Sequence, residues 1–360
     1  MLGYCTNVHR GNTFKDVLSN ISTICEPICF NSCQPVGVGL WFSNKASFDV
    51  DIPLLRDTLD ASNVKAFTMN GFPYTDFHRE IVKHKVYKPN WCEPERLDYT
   101  LRLANIMAEI IDSNEGGVST LPLGWDTDSF KTEHAASMIQ LCVNKLEDLE
   151  QRTGVCIHLD IEAEPGCRLQ RSEDISNFVN TFFGDSETVR RYLRVCHDVC
   201  HSAVMHETTK EAVDNYKEAG LTIGKVQLSS AIEIDFDKQN DSKFLETLRS
   251  IAEPKYLHQT TIKKNNQIEF HENLSDLSFD KLSGLCRVHF HVPIHRSSIG
   301  VLQTTQTYLK ESIPILADAG ATDWEVETYT WDVMPTNLQN DNLVESISKE
   351  LAWAANQIFI

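Results

Sequence analysis

The sequence predicts a single (β/α)8 barrel, in which eight parallel strands alternate with helices. Short apolar runs typical of buried strands alternate along the 360 residues with longer amphipathic runs typical of helices. Several helical runs end at a glycine, namely Gly154, Gly220 and Gly320, as expected at a helix C-terminus. Hydrophobic residues make up 41% of the chain, enough for one large core. An open, doubly wound sheet is the alternative fold.

Nine segments have the composition of strands, one more than a barrel needs. They are residues 3–9, 37–43, 65–70, 117–123, 155–162, 194–197, 224–229, 288–292 and 324–329. We expect either residues 3–9 or residues 288–292 to lie outside the barrel, and the pattern does not decide between them. The clearest amphipathic helices are predicted at residues 96–112, 132–152, 174–183, 210–219 and 303–319.

One polar, charged stretch, residues 233–285, interrupts this alternation. Within it, residues 256–262 and 267–273 flank the turn-forming segment 263–266, which predicts a β-hairpin. We therefore expect one barrel domain over residues 1–360, with residues 233–285 inserted beside the late strands. Such an insertion suits a lid or an oligomer arm, or else a solvated excursion without a function.

The composition narrows the class of protein. A formal net charge of −18 and a pI of about 5.1 disfavour binding to nucleic acid, whose phosphates would be repelled. The eleven cysteines lie within apolar runs, which is typical of reduced thiols in a protein core. The first residues lack the pattern of a signal peptide, and no segment has the length and apolarity of a membrane span. We expect a cytoplasmic protein.

Polar side chains that are unusual in strands collect where the predicted strands end. In a barrel of this kind the strand C-termini open on one mouth, where active sites are built. Glu162 and Glu164, at i and i+2, lie on one face of a strand end. Neighbouring carboxylates repel each other unless a cation or a proton lies between them. This face predicts a metal or acid–base site, with simple solvation as the alternative for Glu164.

The next two strands add mixed donors. Asp198 and His201 are spaced i, i+3, so a turn beginning there brings both to one side. A carboxylate with an imidazole suits Mn, Zn, Fe or Co better than Ca. Lys225 and Gln227 alternate with apolar residues, so their polar groups need partners. Gln227 is a candidate either for a metal ligand or for a substrate contact.

The last two predicted strands carry paired polar residues. His289 and His291 share one face, which suits a metal ion or a phosphoryl group, or else a hydrogen-bonded structural pair. Glu325 and Glu327 also share a face. Glu327 is nearer the strand C-terminus and is the better candidate for a metal ligand. Glu325 is a candidate ion-pair partner of Lys225.

Early strands end in groups suited to a hydroxylated ligand. Asn7, His9 and Asn70 offer amide and imidazole groups that can hydrogen-bond to hydroxyls. Phe72 and Trp125 either stack on the C–H face of a sugar or serve only in packing. We therefore expect a small hydroxylated metabolite as the binding partner.

The order of a Glu, a D-x-x-H pair, an amide and a final Glu on late strands resembles the xylose isomerase-like barrel superfamily. Its members include sugar isomerases, ketose 3-epimerases, inosose dehydratases and endonuclease IV. The resemblance implies one divalent ion, of Mn, Zn, Fe, Co or Mg. The ligands that it implies are Glu162, Asp198, Gln227 and Glu327. Most relatives have His where Gln227 stands, a departure that His289 or His291 would offset.

At a finer level the chain resembles the EboE proteins of bacterial ebo clusters. The matching blocks run from the first residues almost to the end: Tyr4-Cys5-Thr6-Asn7-Val8-His9, Asn70-Gly71-Phe72-Pro73-Tyr74, Ser119-Thr120-Leu121-Pro122-Leu123-Gly124-Trp125, Glu164-Pro165-Gly166-Cys167, Cys196-His197-Asp198-Val199-Cys200-His201, Gln227-Leu228-Ser229-Ser230, His289-Phe290-His291-Val292-Pro293 and Glu325-Val326-Glu327-Thr328-Tyr329. Ala163 stands where we expect a Pro in this family. The resemblance implies metabolite traffic, including export of secondary-metabolite precursors, with other ebo-cluster proteins, one of them in a membrane, as partners.

The first functional hypothesis is a metal-dependent isomerase or epimerase of a sugar, cyclitol or related polyol. Glu162 and Glu327 would move the proton next to a carbonyl, and His201 would stabilise the enediolate or shuttle a hydroxyl proton. The expected substrate-binding residues are Asn7, His9, Asn70, Glu164, Lys225, His289 and His291.

Two further hypotheses remain open. A non-catalytic binding or traffic protein on the same barrel would hold an intermediate and pass it to a membrane partner. A metal-dependent phosphodiesterase similar to endonuclease IV would need a basic groove for DNA, and the acidic composition counts against one.

Overall fold

A computed structural model describes residues 1–28, 36–75, 78, 81–239, 242–278, 282–330, 333 and 342–359. Its parallel barrel strands are β1 (Leu2–Cys5), β2 (Val36–Trp41), β3 (Val64–Asn70), β4 (Glu115–Thr120), β5 (Cys156–Glu162), β6 (Leu193–Asp198), β7 (Ile223–Leu228) and, at the end, β14 (Trp324–Val326). They close in the order β1-β14-β7-β6-β5-β4-β3-β2, which confirms the predicted (β/α)8 barrel and excludes the open sheet.

Helices follow the strands and form the outer layer. The α-helices are Phe14–Asn20, Asn44–Phe48, Ile52–Ala61, Pro94–Ile110, Thr132–Thr153, Ser172–Phe183, Glu187–Tyr192, Val199–Val204, Thr209–Glu218, Ser242–Ser250, Gln306–Asp318 and Leu343–Ile358. Shorter helical turns are Thr6–Val8, Ile21–Cys25, Lys83–Tyr87 and Leu274–Asp276. The three predicted cap glycines, Gly154, Gly220 and Gly320, have φ of 74°, 66° and 95°, which confirms their role at helix ends.

The pairing of the first segment decides which of the nine predicted strands lies outside the barrel. β1 pairs in parallel with both β2 and β14, so the N-terminal segment closes the barrel. The candidate at residues 288–292 instead overlaps β11 (Leu285–Val288), which lies in a second sheet. Both segments are short and apolar, so only their long-range pairing distinguishes them.

The insertion forms an antiparallel sheet of its own. Its strands are β8 (Ile232–Asp235), β9 (Thr260–Lys264), β10 (Gln267–His271), β11, β12 (Ser298–Ile299) and β13 (Leu302–Thr304), in the order β10-β9-β11-β8-β13-β12. The predicted hairpin is confirmed: β9 and β10 pair across Asn265 and Asn266, whose positive φ values of 49° and 62° suit a two-residue hairpin turn. The sheet reaches Thr304, beyond the expected end of the insertion at residue 285.

The barrel interior holds an ion pair. Lys225 Nζ lies 3.2 Å from Glu325 Oε1, and neither side chain is exposed to solvent, which confirms the predicted pair. Thr68 donates a hydrogen bond to the same carboxylate. Gly39 is required next to it, because a Cβ there would collide with Glu325. The interior of the barrel is therefore packed below its mouth.

Two further findings concern the chain as a whole. Within the ranges that the structure describes, no helix is both long and apolar enough to cross a membrane. The cysteines described there are all free thiols, and most are buried.

Candidate functional site

Three buried carboxylates meet at the C-terminal mouth of the barrel. Glu162 ends β5, Asp198 ends β6, and Glu327 directly follows β14. Each has an oxygen within 4.8 Å of the other two, and each residue is at most 5% exposed. The structure thus brings together three of the four metal ligands that the sequence analysis proposed.

Neutral donors orient these carboxylates. Asn7 Nδ2 and Asn70 Nδ2 donate to Glu327 Oε1 at 2.6 and 3.1 Å. Ser229 Oγ and the backbone N–H of His201 donate to Asp198 Oδ1 at 2.7 and 3.0 Å. The other oxygen of Asp198, Oδ2, is buried and has no hydrogen-bond partner among the described residues. A buried, unsatisfied carboxylate oxygen is costly unless a cation or a proton completes it.

Burial and mutual repulsion shape the protonation of the cluster. Burial raises the pKa of Glu327 well above its usual value, and the charges of Glu162 and Asp198 raise it further. Burial also raises the pKa of Glu162, although His201 opposes this. Burial alone would raise the pKa of Asp198, but His201, His291 and two hydrogen bonds lower it overall. The three groups therefore cannot all be ionised without additional positive charge.

His201 supplies part of that charge. Its Nδ1 lies 3.1 Å from Glu162 Oε1. Burial alone would lower the pKa of His201, but the charges of Asp198 and Glu162 raise it to about 10. Lys225 is already balanced by Glu325. Three carboxylates beside one imidazolium leave a net charge that a divalent cation would neutralise, so the donor set fits such an ion.

Gln227 differs from the three carboxylates, because its side-chain oxygen already has a hydrogen-bond partner. Its Oε1 accepts a hydrogen bond from the Cys196 thiol at 3.0 Å. Burial raises the pKa of Cys196 well above its usual value, so the thiol keeps its proton and remains a donor. The expected fourth ligand is thus already engaged, and the imidazole of His291 approaches Asp198 Oδ2 instead, at 3.9 Å.

The mouth opens into a cavity of about 580 Å³, solvent at its opening included. Of the predicted site residues, those that line it are Asn7, Asn70, Glu162, Glu164, His201, His289, His291 and Glu327. Glu164 Oε1 accepts hydrogen bonds from Tyr87 at 2.8 Å and from Gln259 at 3.1 Å. Burial raises the pKa of Glu164 to about 7. Glu164 is therefore part of the site, and the solvated alternative is wrong.

Two residues that were expected to contact the substrate lie elsewhere in the structure. Lys225 lies in the barrel interior with Glu325, because a buried ammonium requires a counter-charge. His9 is buried against the Tyr4 hydroxyl, 3.1 Å away, and burial lowers its pKa to about 3. Neither belongs to the described residues that line the cavity.

Several residues that line the cavity carry no signal in the sequence pattern. Tyr87 lies in a helical turn after β3, and Gln259 immediately precedes β9 in the insertion. Tyr256 and Tyr329 also line the cavity and pack edge to face with ring centroids 5.4 Å apart. Of these four residues, only Tyr329, two residues after Glu327, lies at the end of a predicted strand. Phe72, which the sequence offered either for stacking on a sugar or for packing, also lines the cavity.

Glu350 supports the two segments that carry Glu327 and His291. It accepts hydrogen bonds from Thr328 Oγ1 at 2.7 Å and from the backbone N–H of Ile294 at 3.1 Å. Burial raises the pKa of Glu350 to about 7. Because the folded state binds this proton more tightly than the unfolded state does, its stabilising effect is full below the unfolded pKa and is lost as the pH rises through about 7.

We expect Glu350→Gln to remove this pH dependence. The free energy of unfolding of the wild type, relative to the variant, should fall by about 3 kcal/mol between pH 5 and 8. Urea unfolding at several pH values measures the difference. Glu345→Gln, an exposed position on the same helix, is the control. An unchanged difference across this range would contradict the assignment.

No family model and no curated protein matches the sequence. Solved structures do match, over almost the full length of both chains. An IOLI protein with a bound zinc atom is 12% identical, with coverage of 99% of this chain and 97% of that chain and a TM-score of 0.53. A D-allulose 3-epimerase from Methylomonas sp. is 8% identical, with coverage of 99% and 96% and a TM-score of 0.54.

A xylose isomerase domain protein from Alicyclobacillus acidocaldarius is 9% identical, with coverage of 100% and 99% and a TM-score of 0.51. At such identities the likeness establishes the fold. The chain therefore has the TIM-barrel fold of these proteins, with a six-stranded antiparallel sheet added to the barrel.

Proposed function

We propose that this protein is a metal-dependent isomerase or epimerase of a sugar, cyclitol or related polyol in the handling of secondary-metabolite precursors. One observation carries the proposal: oxygens of Glu162, Asp198 and Glu327 lie within 4.8 Å of one another, and Glu162 and Glu327 line a cavity with amide, imidazole and phenol walls. We also attribute the chain to the EboE family on the sequence blocks given above.

The donor set suits one divalent ion, of Mn, Zn, Fe, Co or Mg, held by Glu162, Asp198 and Glu327. Bound there, it would polarise a substrate carbonyl and its neighbouring hydroxyl. Glu162 and Glu327 come from strands separated by β6 and β7, so they flank the centre from different sides of the mouth. One removes the proton next to the carbonyl and the other returns it, so the reaction needs no further reactant.

Neighbouring groups would assist this transfer. His201, an imidazolium beside Glu162, stabilises the negative charge that develops on the substrate oxygen or shuttles a hydroxyl proton. Asn7 and Asn70 hold Glu327 in place. Glu164, with a pKa of about 7, can accept from or donate to a substrate hydroxyl near neutral pH.

Metal content tests the proposal most directly. We expect protein purified without chelator to contain at least one transition ion per chain, and Asp198→Ala to lose it, because Asp198 is central to the cluster. Elemental mass spectrometry measures both, with Asp112→Ala, an exposed surface position, as the control. Proton exchange from D2O into candidate sugars and cyclitols, followed by NMR, then tests turnover. A wild type without metal, even after soaking in Mn, Zn or Co, would rule out the mechanism.

The second candidate is a non-catalytic metabolite-binding or traffic protein that passes its ligand to other ebo-cluster proteins, including a membrane protein. It is favoured by Gln227, whose amide oxygen is engaged by Cys196 where most relatives have a His ligand. A sugar or cyclitol that raises the melting temperature but exchanges no proton would support this candidate over the enzyme.

A further inference from the structure

The insertion supplies part of the cavity wall. Tyr256 and Leu257, which precede β9, line the cavity together with Val82 and Val86 from the segment after β3. The backbone N–H of Val82 donates to the backbone oxygen of Lys255 at 2.8 Å. The insertion and the segment after β3 are therefore joined to each other beside the cavity.

These two segments give the cavity an apolar wall. The wall consists of Phe72, Val82, Val86, Tyr87, Tyr256 and Leu257. Val82 and Tyr256 pack into one hydrophobic cluster with Val86 and Tyr329. Phe72 packs against Tyr87, with ring centroids 5.8 Å apart. The wall is thus made of packed side chains rather than of isolated apolar groups.

The polar groups of the cavity form a connected series around the carboxylates. His201 Nδ1 lies 3.1 Å from Glu162 Oε1, and His201 Nε2 lies 3.0 Å from His289 Nε2. His289 Nε2 also lies 3.0 Å from His291 Nε2, and His291 Nδ1 lies 3.6 Å from Glu327 Oε2. This polar side suits hydroxyl groups, whereas the aliphatic side chains and ring faces of the apolar wall offer hydroxyls no partner.

Two tyrosines connect the polar side with the apolar wall. Tyr87 donates a hydrogen bond to Glu164 Oε1 at 2.8 Å, while its ring packs against Phe72. The ring of Tyr329 lies 4.7 Å from that of His291, between centroids, and also packs in the cluster of the apolar wall. The cavity volume of about 580 Å³ lies within the range of about 300–1,000 Å³ that is typical for drug-sized ligands. A ligand that fills the cavity therefore contacts both surfaces.

The charges around the cavity favour a neutral ligand. Lys83 is the only lysine or arginine among the described residues that line the cavity. The positive charges of His201 and of a divalent ion would be balanced by Glu162, Asp198 and Glu327. A phosphate group requires more positive charge than this arrangement offers.

We infer that the ligand of this cavity is a neutral polyol or cyclitol that carries an apolar substituent, such as an aryl group, rather than a free sugar or a sugar phosphate. The inference rests on the proposed function for the hydroxylated part, which contacts the polar side. The substituent packs on the apolar wall, where burial of apolar surface is favourable and aromatic rings favour an aryl group. A bare polyol would leave hydroxyls against side chains that cannot hydrogen-bond.

Paired ligands test the inference by isothermal titration calorimetry. The ligands are the methyl glycoside, the phenyl glycoside and the 6-phosphate of glucose and of galactose. We expect each phenyl glycoside to bind about 10–100-fold more tightly than the methyl glycoside of the same sugar. The 6-phosphates should bind no more tightly than the methyl glycosides. Equal affinity for methyl and phenyl glycosides, or tightest binding of a 6-phosphate, would overturn the inference.

A neutral aromatic fluorophore, N-phenyl-1-naphthylamine, tests the apolar wall without any sugar. We expect chelator-treated wild-type protein to bind it, and Val86→Asn to bind it about 10-fold more weakly. Val344→Asn is the control, because Val344 is also half-buried but does not belong to the described lining of the cavity. The fluorophore decides on the wall even if neither glucose nor galactose is the natural polyol.

A second pair of variants guards against one that fails to fold. Leu257 in the apolar wall and Leu277 outside the described lining are both 6% exposed. Leu257→Asn should weaken binding of the fluorophore, whereas Leu277→Asn should not. Circular dichroism confirms the folding of each variant.

The outcomes separate this inference from the proposed function. A wild type that does not bind the fluorophore, or that binds it no more tightly than Val86→Asn and Leu257→Asn do, has no apolar subsite, whatever its metal content. A protein that binds the fluorophore in the cavity but holds no metal and exchanges no proton retains the apolar subsite, and only the isomerase is then refuted.

Discussion

For the proposed isomerase, replacing Glu327 with Gln is expected to lower the rate of substrate isomerisation by about 10²–10⁴-fold at saturating metal. Gln retains an oxygen that can accept from Asn7 and Asn70, so the local hydrogen bonds persist. It cannot take up or return a proton, and the transfer step therefore loses one of its two carriers. Incorporation of deuterium from solvent next to the substrate carbonyl measures this step.

The control for this variant is Glu207→Gln. Glu207 is a buried carboxylate that accepts from the Ser172 backbone at 3.2 Å and does not belong to the described lining of the cavity. Its replacement should change the rate by no more than a few-fold. A Glu327→Gln enzyme with wild-type exchange would show that Glu327 only positions the ion, and that the proton moves through another group.

The largest expected effect on stability comes from Lys225→Met. The substitution leaves the Glu325 carboxylate in the barrel interior without its counter-charge, and neither side chain reaches solvent. Removing one partner of a buried pair typically costs about 3–5 kcal/mol in the free energy of unfolding. Urea unfolding measures the loss, and the double variant Lys225→Met with Glu325→Gln should recover part of it.

An exposed pair provides the comparison. Lys65 Nζ lies 2.9 Å from Asp112, at a distance similar to that of the buried pair, but both side chains are at least half exposed. Lys65→Met should cost no more than about 1 kcal/mol, because water screens the pair. If both lysine variants lost the same free energy of unfolding, burial would not be the reason for the large loss expected in Lys225→Met.

Much of the site followed from strand periodicity. Residues at i and i+2 share a strand face, and all strand C-termini of the barrel meet at one mouth, so Glu162, Asp198 and Glu327 were expected to converge. Tyr87 and Gln259 could not be found in this way. Gln259 reaches Glu164 across 95 residues of sequence, and only the fold of the insertion makes that contact.

The helix ends also show the limit of local patterns. The helix expected from residue 174 begins at Ser172, because Asp174 accepts hydrogen bonds from backbone groups before it. The amphipathic pattern registers the buried face of a helix, whereas its first turn depends on such capping contacts. The helix expected at residues 303–319 begins only at Gln306, because the residues just before it belong to β13 (Leu302–Thr304) and its neighbouring turn.

The sequence by itself determined the alternation of strands and helices, the hairpin at Asn265–Asn266 and the acidic mouth, and it favoured a closed barrel over an open sheet. These features depend on local periodicity and on turn residues, which act over a few positions. Only the tertiary structure decided that β1 closes the barrel, that Lys225 lies inside it rather than at the cavity, that Cys196 engages Gln227 and that three imidazoles meet at Nε2. Each of these depends on distant segments competing for the same partners, and local sequence does not specify which one prevails.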